Sequence, residues 1–347
     1  MKILKFNAVF LLAFLSILFL VSCEKESIQP DQVADSTEID FDITEQLGEI
    51  EWFEEGNSSE SARTRGGKLS IRYRTLSKAL KCTGLDEAVA AGGLTIYGPT
   101  DAAFRKLGLN SKNICSTFSR DELTAILLYH VAGERTRYPV PGCVETLNGS
   151  PAHVTSKKRG FFPRYYINDA RIFGKFVGGV NDFFIIDEVL IPPANNIVEI
   201  AQGAPDFSIL VDAVLKANPS ILATLTDEDA TYTVFAPDND AFIELLGVLG
   251  VGSLEELVSA VGMDGLSTVL AYHVVAGCIF SNDLEDGLRA TTLQGEEIEV
   301  DLTNLSLIDK TSDAKGLGPL LDVRASNGVI HQIDGVLLPQ EVIDLLN

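Results

Sequence analysis

The chain has 347 residues and carries 49 Asp and Glu against 27 Lys and Arg, a net charge of −22. An acid surplus on this scale argues against nucleic acid as the partner of the whole chain, because a phosphate backbone demands the opposite sign. Five cysteines include no CxxC pair and have no histidine close by, so no zinc site is expected and no cofactor is implied.

Lys2 and Lys5 precede an apolar run from Ala8 to Val21 that closes on Leu20-Val-Ser-Cys23. A short basic stretch, an apolar stretch and small residues before a cut make a secretory signal. Leu20–Cys23 resembles the bacterial lipobox, so residues 1–22 are expected to be removed and Cys23 to carry lipid. The run is short for the ~20 residues of a membrane span. Glu24 and Glu26 resemble the surface-export signal of Bacteroidota lipoproteins, and the expected location is the outer membrane or cell surface. Residues 23–65 read as an acidic, disordered tether, with thirteen acidic residues against Lys25, Arg63 and Arg65. Such composition buries too little apolar surface to fold. Ile50, Trp52 and Phe53 are the exception, a patch able to dock.

Beyond the tether the chain repeats itself. TIYGPTDAAF at 95–104 returns as TVFAPDNDAF at 233–242, LLYHVAG at 127–133 as LAYHVVAG at 270–277, and IIDEVLIP at 185–192 as QIDGVLLP at 332–339. The order is constant and the offset grows from 138 to 143 to 147, which means two copies of one domain, 66–193 and 194–347, with small insertions in the second. Each copy opens with a helix (77–93; 207–225), followed by a short strand ending at Pro99 or Pro237, since proline cannot donate to a ladder. Thr100 or Asp238 is the natural N-cap of the next helix, and a further helix follows (120–131; 266–275). The remainder alternates in the manner of strands. Helices first and antiparallel strands later predict an α+β domain. The copies differ in charge: 17 basic against 11 acidic residues in 66–193, and 5 against 25 in 194–347.

A strand ending Thr-Val-Phe-Ala-Pro, a helix beginning Asp-x-Ala-Phe, a Tyr-His pair some thirty residues on and a closing Asn-Gly-x-x-His-x-Ile-Asp-x-Val-Leu-x-Pro resemble the fasciclin-like domain. The second copy matches nearly throughout. The first has Tyr97-Gly98 for Phe-Ala and lacks the late histidine, reading VNDFFIIDEVLIPP. The resemblance implies tandem fasciclin-like domains, adhesion or matrix interaction, and a role for Tyr129-His130 and Tyr272-His273 as candidate interaction residues; no catalysis is expected, because no nucleophile has a base beside it. Read physically, each pair ends an apolar helix, where a ring packs on the core and its polar end meets backbone.

No GxSxG elbow, HExxH or phosphate loop is present, and Asp101, Asp238 and Asp240 suit helix capping better than catalysis. The acidic stretches Asp227–Asp229 and Glu296–Asp301 lack calcium-loop spacing. The most individual stretch is 157–171, in which Lys157, Lys158, Arg159, Arg164 and Arg171 interleave with Phe161, Phe162, Tyr165 and Tyr166. Stacking rings beside cations suit an anionic glycan. The plain alternative is a hairpin whose alternate aromatics face the core. Expected partners are therefore a membrane through the lipid and a protein or polysaccharide at the cell surface. Of Cys82, Cys115, Cys143 and Cys278, three lie in the first copy, so two bridges within domains are impossible. One bridge in the first domain and a buried free Cys278 is the simplest expectation.

Overall fold

The computed structural model describes residues 49–52, 71–159, 162–177 and 179–346. The first repeat comprises β1 (Glu49–Trp52), α1 (Arg74–Thr83), α2 (Asp86–Ala91), β2 (Thr95–Pro99), α3 (Asp101–Lys106), α4 (Ile114–Thr117) and α5 (Arg120–Leu128). There follow β3 (Val131–Ala132), β4 (Gly142–Glu145), β5 (Pro151–Arg159), β6 (Phe162–Ile167), β7 (Ala170–Val177) and β8 (Asp182–Ile186). The second repeat has α6 (Ile197–Gly203), α7 (Ser208–Lys216), α8 (Pro219–Leu225), β9 (Tyr232–Pro237), α9 (Asn239–Leu249), α10 (Leu254–Tyr272) and β10 (Val274–Ala276). It ends with β11 (Arg289–Thr291), β12 (Glu297–Asp301), β13 (Ser306–Ile308), β14 (Ala314–Gly316), β15 (Val323–Ala325), β16 (Gly328–Ile333) and α11 (Gln340–Leu346). Both repeats are α+β.

The centre of each domain is a parallel pair made of the two most strongly repeated motifs. β2 lies beside β8, and β9 beside β16. All five residues of β2 and all six of β16 are buried, because helices cover one face and antiparallel strands the other. Alternate residues therefore feed two cores. On the helical side of the first domain lie Ile96, Phe104, Leu123, Phe183 and Ile185; on the other lie Tyr97, Tyr129, Val154, Phe184 and Ile186. The second domain divides likewise, with Val234, Ala236 and Ile330 opposite Phe235, Tyr272 and Ile333.

The caps follow the residues. Thr100 Oγ1 accepts from Ala103 N–H at 3.2 Å and Asp238 Oδ1 from Ala241 N–H at 2.9 Å, while Ser119 and Asn196 each close a capping box with a glutamate three residues on. The expected opening helices are each split. Gly84, at φ 78°, ends α1 before α2, and Asn218-Pro219 ends α7 and starts α8. In the first domain the strands form one eight-stranded sheet. In the second they form two sheets of four, because the counterpart of β7 is interrupted between β14 and β15 by Gly318-Pro319.

Two expectations are corrected. Within the stretch read as a disordered tether, Glu49–Trp52 forms β1, antiparallel to β7 from Gly174 to Val177. β6 pairs β7 only as far as Ile172, so the rest of that edge is left for an alternating Glu-Ile-Glu-Trp strand. The four described cysteines, too, are all paired. Cys82 joins Cys115, tying α1 to α4, and Cys143 on β4 joins Cys278 beyond β10. Cys278 is not free; its partner lies in the other domain, which counting cysteines within each domain could not show. The two domains belong to one compact unit.

Candidate interaction site

His130 follows α5 and His273 ends α10, and both imidazoles do the same work. His130 Nδ1 donates to Ile126 O at 2.7 Å, and its Nε2 accepts from Leu190 N–H at 2.9 Å. In the second domain the partners are Val269 O at 2.8 Å and Leu337 N–H at 2.9 Å. A backbone N–H pointing at Nε2 fixes the neutral tautomer. Burial pushes both histidines down to about 4, outweighing the carbonyl bonds that favour the cation. Each histidine thus ties a helix end to the leucine of the closing Asp-x-Val-Leu motif, joining two of the repeated phrases.

The tyrosines complete the tie. Tyr129 OH donates to Pro151 O at 3.0 Å and accepts from Asn168 Nδ2 at 3.0 Å; Tyr272 OH donates to Glu297 O at 3.0 Å. All four residues are at most 2% exposed. Against their expectation as contact residues, Tyr129, His130, Tyr272 and His273 offer no side-chain surface to a partner in this conformation. The late histidine of the second copy, His331, is also buried. It stacks on Phe235 at 5.6 Å, in the place where Phe184 stacks on Tyr97 at 5.5 Å in the first.

The basic and aromatic stretch is a hairpin, β5 and β6. Phe161 lies outside the described residues, as does Cys23, and of Lys158, Arg159 and Phe162 the backbone alone is described. Register sorts the rest. Residues paired across antiparallel strands share a face, so Ser156 and Tyr165 follow Val154 and Ile167 onto the core side. Lys157 pairs with Arg164, Thr155 with Tyr166, and Tyr166 with Arg171 on the opposite face. Lys157 Nζ stands 5.2 Å from the centre of the Tyr166 ring. One tyrosine is core and the other belongs to a basic row. The equivalent strand of the second domain, β12, buries Ile298 and Val300 and turns Glu297, Glu299 and Asp301 the other way, so the same face is acidic there.

The acidic stretches serve local turns. Asp301 Oδ1 accepts from Thr303 N–H at 2.8 Å, and Asp227 Oδ1 from Asp229 N–H at 3.0 Å. Among the described residues no group of three or more His, Cys, Asp or Glu is arranged to hold a metal, and no helix is long and apolar enough to cross a membrane.

The row shares its face with a seam between the domains, which sequence reasoning missed. His153 sits opposite Cys143 across β4 and β5. It is buried, stacks on Phe280 of the second domain at 4.1 Å and 9°, and meets the Asp283 carboxylate at 3.0 Å. Burial would raise the Asp283 carboxyl, but bonds from His153 and from Phe280 N–H outweigh it and hold it below the ordinary carboxylate range. Asp169, in the turn between β6 and β7, pairs with Arg324 of β15 at 3.2 Å. The signal for the seam was Cys278-Ile-Phe-Ser-Asn-Asp283, which replaces Glu134-Arg-Thr-Arg after the shared Ala-Gly of the first copy.

This architecture has known relatives. A family model described as "Fasciclin domain" matches residues 72–192 and 205–339, and the chain belongs to that family. Protein sll1483 of Synechocystis sp. is 36% identical over 155 residues, 45% of this chain and 79% of that protein. Transforming growth factor-beta-induced protein ig-h3 of Sus scrofa is 28% identical over 261 residues, 71% of this chain, which spans 33% of that protein's length. A solved FAS1 domain pair from the insect cell adhesion molecule Fasciclin I aligns over 78% of this chain and 98% of its own, at 16% identity and a TM-score of 0.38.

Proposed function

We propose that this chain is a non-catalytic adhesion or matrix-interaction protein, held at a bacterial cell surface by lipid on Cys23. The tandem fasciclin domains carry this reading. The histidines support it: all four are buried and hydrogen-bonded within the protein, which suits a binding scaffold better than acid–base chemistry. Attachment of cells to protein- and polysaccharide-coated surfaces, compared between the wild type, a deletion strain and Cys23→Ser, tests it. Loss of attachment in both mutants, with Cys23→Ser shed from the membrane, is the expected outcome. Attachment unchanged by the deletion would overturn adhesion, and normal lipid labelling of Cys23→Ser would overturn the anchor.

A second reading, capture of anionic polysaccharide, is favoured by the shared face of Lys157, Arg164, Tyr166 and Arg171 and by the cation held over the Tyr166 ring. Binding to alginate or pectate should weaken with salt, since exposed charges are screened beyond ~10 Å at 0.1 M. Lys157, Lys158 and Arg159 changed together to Ser should lower affinity, as should Tyr166→Ala. A triple variant that binds as the wild type does would sink this second reading.

A further inference from the structure

We propose that the loop Cys278–Asp283 is a redox-operated clasp, holding the two fasciclin domains in one orientation and releasing them when a dithiol reduces Cys143–Cys278. Three residues of this loop grip one cross-strand pair of the first domain. Cys278 is bonded to Cys143, while Phe280 and Asp283 hold His153 by stacking and by hydrogen bonding.

The loop is itself firmly seated in the second domain. Ile279 N–H donates to Thr233 Oγ1 at 2.8 Å, and Ile279 O accepts from His331 Nε2 at 2.8 Å. Ser281 donates twice to Asp322, from N–H at 2.7 Å and from Oγ at 2.5 Å. What holds the loop therefore also positions the grip.

The seam joins two bodies with separate cores. Each of the four apolar clusters draws its residues from one domain only, at or below Leu190 in the first and from Ile197 onward in the second. Without the covalent bond, the seam still has the His153 contacts and the Arg324–Asp169 pair. The Asp169 side chain is 81% exposed, so that pair contributes little.

The bond is also within reach. Cys143 is exposed on β4, the end strand of its sheet, and Cys278 is half-buried. A thiolate of the reductant attacks the Cys143 sulfur, the protein disulfide breaks, and Cys278 leaves as a thiolate that takes a proton. The second thiol of the reductant then attacks the mixed disulfide and frees Cys143, which also takes a proton. The protein gains two electrons and two protons, and the dithiol becomes a disulfide. The Cys82–Cys115 bond lies within one domain, with Cys82 packed against its core, so opening it separates nothing.

Fluorophores placed through non-cysteine chemistry at Lys112 and Ser259 of the full chain report the distance between domains. Dithiothreitol should convert a single narrow distance distribution into a broad one while far-UV circular dichroism stays the same, with alkylation and mass spectrometry confirming thiols at 143 and 278. Cys143→Ser/Cys278→Ser should reproduce the broad distribution without reductant, and His153→Ala should widen it further. A distribution still narrow after the 143–278 bond is reduced would overturn the clasp. So would loss of the second domain's structure on reduction of the folded wild type, which would make the bond a folding staple instead.

Discussion

Gly98 interrupts the Phe-Ala pattern of the second copy, and Phe183 explains why. A Cβ at Gly98 would stand 1.9 Å from Phe183 Cζ. The second domain has Ala236 with the slimmer Ile330 in the corresponding places, so each domain matches a small residue with a large one or two of middle size. Gly98→Ala should destabilise the first domain by about 1–3 kcal/mol, the usual cost of overpacking. Phe183→Ile in the same chain should recover much of that loss, as a double-mutant cycle by chemical denaturation would show. The buried histidines make a second prediction. Held at about 4 in the folded protein, they stay neutral while an unfolded chain protonates below its ordinary 6.5. Their contribution is therefore full above about pH 6.5, falls as the pH drops toward 4 and levels off below it, a loss of roughly 3 kcal/mol for each imidazole. The slope of stability over that window should flatten in His130→Gln/His273→Gln. An equally steep slope in that variant would mean that other groups set the acid sensitivity.

At the level of the element, α10 is two helices in one. Gly262 breaks it at φ 75° and ψ 170°, a conformation open essentially to glycine alone, and beyond its chain neighbours and the helix's own backbone no atom lies within 4 Å of where its Cβ would sit. Gly262→Ala should thus cost about 1–3 kcal/mol through backbone strain without any steric clash, measurable as a lower melting temperature of the second domain. The break also explains why the sequence announces only the latter half of this segment as a helix: the apolar period restarts after the glycine. Features set by local chemistry were legible in advance, among them the strands stopping at Pro99 and Pro237, the caps at Thr100 and Asp238, and the division of Tyr165 and Tyr166 between two faces. Features set by distant partners were not. Nothing local to Glu49–Trp52 tells that β7 has a vacant edge, nothing local to Cys278 tells that Cys143 faces it, and nothing in the Tyr-His pairs tells that a leucine amide 60 or 64 residues away occupies the imidazole.

Across the whole molecule, a domain of 17 basic and 11 acidic residues is joined to one of 5 and 25. Like charges in the second domain repel one another more in the compact state than in an extended chain. Added salt should therefore raise the unfolding temperature of the second domain more than that of the first, once both are resolved by calorimetry on the reduced protein. Equal shifts would show that charge imbalance does not set their relative stability. The bond between Cys143 and Cys278 has a mechanical meaning as well. Tension applied at the two ends of the chain enters at Cys143 and leaves at Cys278 without passing through the residues between them. A separation of 135 residues would otherwise stretch to about 450 Å at ~3.4 Å per residue. With the bond closed that length is withheld. A pulled molecule stays short and transmits load promptly; a reduced one has a reserve of chain to give.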